Sequence, residues 1–485
     1  MTDRPLWTVE AMAAAMGAAS AGPLPRSVPG ISIDTRTVAP GEAFFAIKGD
    51  NRDGHDFVVA ALAAGAGLAV VAAARRDAFP AHAPLLVVPD VLEGLRALAR
   101  ASRARTQAKI VAVTGSVGKT STKEALRLTL GRNGATHASL ASYNNHWGVP
   151  LSLARCPEDA RYAVFEIGMN HAGEIEPLTR LVRPQVAIVT TVEPVHLEFF
   201  GSVEAIADAK AEIFRGLEPD SAAVLNRDNP YFARLERSAR EAGAARIVSF
   251  GEHERADARL VKCSLQPDSS TVQARILGTD VTYKLGAPGR HLVLNSLAVL
   301  GAVTLVGADL ALAALALAEL QPPTGRGARA TLDVPGGTAL LIDESYNANP
   351  ASMRAALALL GHAGLGPRGR RIAVLGDMLE LGPRGVELHR ELAVPVVAHG
   401  VDLVFCCGPL MQALWEALPS ERRGGYAETS AALESQVLGA IHPGDALMIK
   451  GSNGSRMGPI VKALQRRYPF RTTPSAESAL STGIG

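Results

Sequence analysis

The segment at residues 109–121, K-I-V-A-V-T-G-S-V-G-K-T-S, constrains the fold of this chain more than any other stretch. An apolar run enters a loop that contains two glycines, and the chain then continues as a segment with helical spacing. A strand, a glycine loop and a helix in direct succession are the local order that a phosphate-binding loop (P-loop) requires. The segment therefore predicts an α/β fold built around this strand.

Apolar strand-like runs alternate with helical stretches along most of the chain, which predicts mainly parallel sheets covered by helices. The first runs surround an Ala-rich helical stretch at 57–64 and predict a small α/β unit, and two larger groups follow. The predicted strands are residues 43–47, 68–72, 85–88, 110–113, 163–167, 186–190, 222–225, 247–250, 340–342, 372–375, 403–405 and 447–449.

The length of 485 residues suggests about three domains, at roughly 150 residues each. Residues 321–329 contain two prolines and two glycines and are the best linker candidate. We therefore predict an N-terminal domain at 1–107, a central P-loop domain at 108–325 and a C-terminal domain at 326–470. The end of the chain, 471–485, is rich in Ser, Thr and Ala and is predicted to be disordered.

Charge and cysteine content exclude several classes of function. Lys and Arg number 49 against 47 Asp and Glu, so the chain lacks the field of one sign that would hold a nucleic-acid backbone. The four cysteines have no metal-ligand spacing and give no disulfide framework, which favours a reducing compartment. The first ten residues lack the apolar core of a signal peptide, so we expect a cytoplasmic protein.

Residues 297–320 are apolar enough to raise the question of a membrane span. Asp309 interrupts the stretch, and Gly301 and Gly307 break its middle. Two buried helices of a large α/β core give the same pattern, and we favour that interpretation. No integral membrane segment is expected.

The glycine loop carries the residue types that bind nucleotide phosphates. Gly115 and Gly118 allow backbone N–H groups to approach phosphate oxygens, Lys119 can reach the β and γ phosphates, and Thr120 can hold Mg²⁺. The usual spacing would place a glycine where this chain has Val113, so the loop is a shortened variant. A glycine turn beside a solvated lysine is the alternative. The candidate phosphate-binding residues are Thr114, Gly115, Ser116, Val117, Gly118, Lys119 and Thr120.

Three further residues are candidates for a metal site. Glu166 ends an apolar strand, where an acid is costly unless it meets a cation. His196 follows the next strand, although a single histidine is more often a packed or surface residue. Lys210 lies on the apolar stripe of a predicted helix at 205–217 and points inward. A snorkelling stem would explain this lysine, and a buried neutral amine that reacts with carbon dioxide to give a carbamate is the alternative.

Seven motifs occur in an order typical of one family of amide-bond ligases: T-G-S-V-G-K-T-S, F-E-I-G-M-N, H-L-E-F-F-G-S, A-K-A-E-I-F, G-R-H-L-V-L-N, D-E-S-Y-N-A-N-P and V-L-G-D-M-L-E-L-G. On these motifs the chain resembles the Mur ligases of bacterial cell-wall synthesis over almost its whole length. The segment I-D-T-R-T-V-A-P-G-E-A-F-F-A-I-K-G with D-G-H-D-F is similar to their UDP-substrate domain. Y-N-A-N-P and D-M-L-E-L-G resemble the members that add D-alanyl-D-alanine to UDP-N-acetylmuramoyl-tripeptide, and the sequence lacks the D-N-P-R signature of the tripeptide-forming members.

The resemblance implies an α/β three-domain Mur ligase that is monomeric, with a C-terminal Rossmann-like domain. It implies ATP, two Mg²⁺ ions and a carbamylated Lys210. The implied catalytic residues are Lys119, Lys210 and His196, and the implied metal-site residues are Thr120, Glu166, His196 and the Lys210 carbamate. The implied nucleotide contacts outside the loop are Asn295, Arg326 and Asp343, and the implied substrate contacts are Thr35, Arg36, Asn144, Asn145, Tyr346 and Asn347.

The implied reaction transfers the γ-phosphoryl group of ATP to the terminal carboxylate of the tripeptide, and the amine of D-alanyl-D-alanine then attacks the acyl phosphate. The nearest alternative is another ligase of this architecture, either tripeptide-forming or of the folylpolyglutamate type. A P-loop GTPase switch is a more distant one, because residues 226–229 superficially resemble the guanine-reading N-K-x-D but fail at two of its three fixed positions.

Overall fold

Three α/β units, each built around its own sheet, make up the described part of the chain. They confirm the predicted fold class. The computed structural model describes residues 5–49, 52–140, 142–195 and 197–469. The candidate His196 and the predicted disordered tail lie outside these residues. Within them, no helix is long and apolar enough to cross a membrane.

The N-terminal unit combines short strands with three helices. Its elements are β1 (Trp7–Thr8), α1 (Val9–Met16), β2 (Ala19–Ala21), β3 (Ser27–Val28), β4 (Ile31–Ser32), β5 (Ala43–Phe45), α2 (Val58–Ala63), β6 (Leu68–Ala72), β7 (Leu85–Val88) and α3 (Val91–Arg105). Strands β2, β7, β6, β5 and β4 form a sheet in that order, in which only β2 is antiparallel to its neighbour. The three strands predicted in this region are confirmed.

The central unit contains the largest sheet. Its elements are β8 (Lys109–Thr114), α4 (Lys119–Gly131), β9 (Thr136–Ala138), α5 (Gly148–Ala154), β10 (Tyr162–Glu166), α6 (Ile175–Val182), β11 (Val186–Val189), α7 (Leu197–Phe200), α8 (Val203–Ala211), β12 (Ala222–Asn226), α9 (Phe232–Glu241), β13 (Arg246–Gly251), β14 (Ala258–Leu265), β15 (Ser270–Ile276), β16 (Thr279–Leu285), α10 (Arg290–Leu305) and α11 (Leu310–Ala316). The strand order is β16-β15-β14-β13-β12-β11-β8-β10-β9. From β14 to β9 in this order, β8 included, each strand is parallel to the next. Strands β14, β15 and β16 form an antiparallel meander that the sequence patterns did not predict.

Helices cover both faces of the central sheet, which explains why residues 110–113 of β8 are all apolar. Val111 and Val113 belong to the apolar core on one face, beneath α4 and α10. Ile110 and Ala112 belong to the core on the other face, beneath α5, α6 and α8. A strand buried on both sides reads as a continuous apolar run rather than an alternating one.

The strand order also decides where a ligand can bind. The chain leaves β8, forms β9 at the outer edge, returns to β10 beside β8 and then crosses to β11 on the other side. In an open α/β sheet, such a reversal leaves a crevice beyond the carboxyl ends of the strands. The loops after β8, β10 and β11 therefore meet at one place.

The C-terminal unit is a six-stranded sheet with helices on both faces. Its elements are β17 (Ala328–Val334), β18 (Gly337–Glu344), α12 (Pro350–Gly361), β19 (Arg371–Gly376), α13 (Gly385–Arg390), α14 (Ala393–Ala398), β20 (Leu403–Cys407), α15 (Gln412–Ala417), β21 (Arg423–Ala427), α16 (Ser430–Ala440), β22 (Ala446–Lys450) and α17 (Gly458–Arg467). The order is β17-β18-β22-β19-β20-β21, and only β17 is antiparallel.

Two sequence predictions need correction in detail. The helix expected at 205–217 is α-helical only to Ala211 and continues as the 3₁₀ turn Glu212–Gly216. Gly216, at the end of this turn, lies so close to the backbone of Thr179 that an added Cβ would be 2.2 Å from the Thr179 carbonyl oxygen, so only glycine fits there. The predicted linker is shorter than expected because β17 already begins at Ala328. The apolar stretch at 297–320 forms two helices, as favoured.

Candidate active site

The loop between β8 and α4 has a shape that only glycine permits at two positions. Gly115 has φ 148° and Gly118 has φ 86°, both in the region that disfavours side chains. A Cβ on Gly115 would lie 1.9 Å from Thr190 Oγ1, and a Cβ on Gly118 would lie 2.5 Å from Asn295 Nδ2. The predicted glycine loop is therefore present, and Asn295 lies beside it.

Hydrogen bonds to the segment after β11 hold this loop in place. The Ser116 amide donates to the Thr191 carbonyl over 2.9 Å, and the Ser116 hydroxyl donates to the Glu193 carbonyl over 3.1 Å. The Thr190 hydroxyl donates to the Val117 carbonyl over 2.5 Å. Burial raises the pKa of the Glu193 carboxyl beside the loop. The sequence did not single out Glu193, whose place beside Ser116 follows only from the pairing of β8 with β11.

Thr120 and Glu166 meet at the start of α4, although 46 positions separate them. Thr120 Oγ1 donates to Glu166 Oε2 over 2.8 Å, and Asn144 Nδ2 donates to Glu166 Oε1 over 2.7 Å. Glu166 is fully buried and forms no ion pair with any described residue. An unpaired buried carboxylate is costly, so this acid fits a position that a cation occupies.

Two lysines of the central unit, Lys119 and Lys210, belong to the same cluster as Thr120, Asn144 and Glu166 or lie next to it. Lys119 Nζ donates to the Gly115 carbonyl over 2.7 Å. Burial lowers the pKa of Lys119, although Glu166 opposes the effect. Lys210 is 2% exposed, and its pKa lies well below the ordinary value because of burial first and the Lys119 charge second. The inward direction predicted for Lys210 is confirmed.

The C-terminal unit contributes two of the predicted residues through its first strands and the preceding turn. The Arg326 guanidinium donates to Ser142 Oγ over 3.2 Å and lies 4.0 Å above the ring of Tyr346. Asp343 is buried, and its carboxylate accepts hydrogen bonds from the amides of Gly325 and Ser345, each over 3.1 Å. Asp343 therefore fixes the turn that carries Arg326.

Ser142 is a member of the cluster that the sequence reasoning missed. Its hydroxyl lies 3.5 Å from Thr120 Oγ1 and also accepts the bond from Arg326. Its only signal in the sequence is a position two residues before Asn144. A serine in a loop is too common for that signal to be useful without the fold.

The remaining predicted residues lie apart from the cluster or are used in other contacts. The side-chain oxygen of Asn145 accepts a hydrogen bond from the amide of Gly148, the first residue of α5. The carbonyl of Asn347 accepts from Lys450 Nζ over 2.9 Å. Thr35 and Arg36 lie in the N-terminal unit after β4, where Arg36 pairs with Asp34 over 2.6 Å. Among the described residues, neither Thr35 nor Arg36 forms a hydrogen bond or an ion pair with the P-loop residues.

The donor set at the cluster fits magnesium better than a transition metal. In the described ranges, no group of three or more His, Cys, Asp and Glu side chains could hold a metal ion. A hydroxyl and one carboxylate beside a phosphate-binding loop are nevertheless enough for Mg²⁺, which takes its other oxygens from phosphates and water. The residues present therefore fit a nucleotide-bound magnesium ion.

Fold and site together define a multidomain P-loop protein of the α/β class. Three family models match the chain: the Mur ligase family catalytic domain over residues 27–103, the Mur ligase middle domain over 113–303 and the Mur ligase glutamate ligase domain over 332–453. The chain belongs to the Mur ligase family.

Individual relatives match along nearly their whole length. UDP-N-acetylmuramoyl-tripeptide–D-alanyl-D-alanine ligase of Escherichia coli is 34% identical over 90% of this chain and 93% of its own. The crystal structure of MurF from Acinetobacter baumannii covers 95% of this chain and 99% of its own, with a TM-score of 0.80 and 29% identity. MurF ligase from Thermotoga maritima, solved in complex with ADP, covers 90% and 98%, with a TM-score of 0.72 and 26% identity.

Proposed function

We propose that this Mur ligase uses ATP to join D-alanyl-D-alanine to UDP-N-acetylmuramoyl-tripeptide, a step of peptidoglycan precursor synthesis of the type EC 6.3.2.10. The relatives that carry this activity in their names match over 90% of the chain. The structural observation that carries the proposal is the buried Glu166 carboxylate, held by Thr120 beside the P-loop. It is the arrangement that phosphoryl transfer from ATP needs.

The P-loop and its neighbours would act by positioning and by neutralising charge. Lys119 would exchange its hydrogen bond to the Gly115 carbonyl for contacts with the β and γ phosphates of ATP. Thr120 and Glu166 would hold Mg²⁺, which supplies positive charge next to the transferring phosphoryl group. Arg326 reaches the same cluster from the C-terminal unit, and its guanidinium would add a further positive charge. Asn295, beside Gly118, would contact the adenine, and Asp343 would keep the turn of Arg326 in place.

The chemistry then proceeds in two displacements. An oxygen of the tripeptide carboxylate attacks the γ phosphorus, a new P–O bond forms, and ADP leaves. The amine of D-alanyl-D-alanine next attacks the acyl carbon, and the tetrahedral intermediate collapses with release of phosphate and one proton. No side chain has to form a covalent bond with substrate, so orientation and exclusion of water carry the rate enhancement.

Lys210 is proposed to act as a carbamate. Burial and the Lys119 charge favour its neutral amine, which is the form that attacks carbon dioxide. A C–N bond forms, a proton is lost, and the side chain becomes an anion that can face Mg²⁺ with Glu166. The absence of an acidic partner for Lys210 among the described residues supports this proposal, because a permanently protonated lysine would need one.

Substrate contacts from outside the cluster complete the proposal. Thr35 and Arg36 would bind the UDP substrate from the N-terminal unit, and Asn144 and Asn145 would reach the phosphates from the loop before α5. Tyr346 and Asn347 would bind substrate from the C-terminal unit. Tyr346 is 42% exposed, and Arg326 already lies over its ring.

Product analysis tests the function directly. Purified protein is incubated with UDP-N-acetylmuramoyl-tripeptide, ATP and Mg²⁺, and phosphate release is measured with D-alanyl-D-alanine, with a single D- or L-amino acid, or with neither. We expect release to depend on the dipeptide, and mass spectrometry to find the pentapeptide product. Equal stimulation by a single amino acid would instead indicate a tripeptide-forming or folylpolyglutamate-type ligase, and turnover of GTP without the UDP substrate would indicate a GTPase.

A further inference from the structure

Glu212 is a buried acid that none of the roles above uses. It begins the 3₁₀ turn that directly follows α8, two positions after Lys210, and is 8% exposed. Its Oε1 accepts a hydrogen bond from the Gly173 amide over 2.6 Å. Its Oε2 accepts from the amides of Ile175 and Glu176, each over 3.1 Å. One carboxylate therefore accepts three backbone hydrogen bonds.

The three amides belong to the segment that continues from Glu166. Strand β10 ends at Glu166, residues 167–174 form the loop, and α6 begins at Ile175. The first N–H groups of a helix have no partner within the helix and attract a negative charge. Glu212 satisfies two of these groups and one loop amide. It thereby ties the end of α8 to the segment that leaves Glu166.

The same two elements are also joined farther from the cluster. Thr179 Oγ1, fully buried in the middle of α6, donates to the Ile213 carbonyl over 2.8 Å. This bond links α6 to the same 3₁₀ turn but acts one helical turn beyond the loop that leads to Glu166. Removing this bond therefore serves as a control for a general loss of stability at the contact between α6 and the 3₁₀ turn.

We propose that Glu212 is a positioning residue of the metal site, which sets the distance between Lys210 and Glu166. The inference rests on the proposed function, since it assumes that these two side chains face one metal. Glu212 acts through the backbone, because its three hydrogen bonds all go to amides of residues 173–176. Partners that orient metal ligands in this way typically contribute 10- to 100-fold in metal affinity or activity.

The test compares wild type, Glu212→Gln and Thr179→Val. Mn²⁺ serves as the probe metal, and its binding to the protein with saturating ADP is measured by electron paramagnetic resonance. Gln keeps the shape of the side chain but replaces one acceptor oxygen with an NH₂ group. We expect Mn²⁺ to bind Glu212→Gln about 10- to 100-fold more weakly, and Thr179→Val to bind it as wild type does, while both variants melt at lower temperature.

Equal Mn²⁺ affinity in the two variants would overturn the proposal and leave Glu212 a purely stabilising residue. If Glu212→Gln fails to fold, Glu212→Asp keeps the charge with a shorter reach, and the same weakening relative to Thr179→Val is expected. Glu166→Gln separates this inference from the proposed function. Loss of Mn²⁺ binding in Glu166→Gln with normal binding in Glu212→Gln refutes only the inference, whereas normal binding in Glu166→Gln refutes the metal site itself.

Discussion

Two buried lysines of the central unit have opposite surroundings. Lys123, in the second turn of α4, is fully buried, and its Nζ donates to the Ser139 carbonyl over 2.7 Å and pairs with Glu124 over 2.8 Å. Lys210, in the last turn of α8, is equally buried but has no hydrogen-bond or ion-pair partner in the described part of the chain. Both helices lie against the same sheet.

The difference separates a lysine that is stabilised by hydrogen-bond acceptors from one that has none among the described residues. A buried ammonium group is tolerated when acceptors surround it, as they surround Lys123. Without them burial favours the neutral amine, and it lowers the pKa of Lys210 far below the ordinary value. The amine of Lys210 lies close enough to Lys119 of the P-loop to feel its charge, whereas Lys123 fixes the end of β9, which leads to Ser142 and Asn144.

The largest effect is expected for Lys119→Ala, which removes the charge that acts on Lys210. Ligation should fall by a factor of about 10³ or more, because the lost ammonium serves the transferred phosphoryl group. The fold should remain intact, since the substitution leaves no apolar cavity. Steady-state kinetics and circular dichroism check this result. Normal turnover in a folded Lys119→Ala protein would contradict the P-loop assignment.

Lys210→Ala should lower ligation by a factor of about 10² to 10³, because an anion beside Mg²⁺ is removed. A small carboxylic acid should restore part of the activity by occupying the vacated space with the same charge. ¹³C-labelled bicarbonate should give a carbamate resonance in wild type that the variant lacks. Near-normal activity of Lys210→Ala would show that the side chain is a buried lysine without a catalytic role.

Lys123→Met tests the second lysine of the comparison, the one that has hydrogen-bond acceptors. Removing the ammonium leaves the Ser139 carbonyl without its partner and should lower the free energy of unfolding by about 2–3 kcal/mol. Urea denaturation measures this change. Carboxylic acids should not rescue any activity lost in Lys123→Met, since no anion is missing. Rescue of this variant would remove the distinction between the two lysines.

The smallest effect is expected for the pH dependence of the free energy of unfolding. The unfolded chain protonates Lys210 below the ordinary pKa of 10.5, whereas burial holds the pKa of Lys210 well below that value in the folded chain. The unfolded state therefore binds more protons, and the stability of wild type relative to Lys210→Met should rise with pH, by at most about 1.4 kcal/mol per unit, up to the ordinary pKa. Urea midpoints between about pH 8 and 10 in metal-free buffer without carbon dioxide check the slope. A flat difference would mean that Lys210 is charged in the folded protein.

Much of the central unit could be predicted because its signals are local. The glycine loop at 115–118 follows an apolar strand directly, and the strands predicted in all three units are present. The antiparallel meander β14–β16 was missed because its strands lack the continuous apolar runs of the parallel strands, since residues on their outward face are polar. The roles of His196 and of the substrate contacts remain predictions.

The sequence by itself determined which residues of each element point inward, because the periods of strands and helices are properties of the backbone. That period places Lys210 in the interior without any knowledge of its neighbours. Only the tertiary structure decided what each inward residue meets. Thr120 reaches Glu166 because β10 returns beside β8 while β9 stays at the edge, and Glu212 reaches residues 173–176 because α6 packs on the turn after α8. Strand order and helix packing depend on contacts between segments far apart in the chain, and no local pattern encodes them.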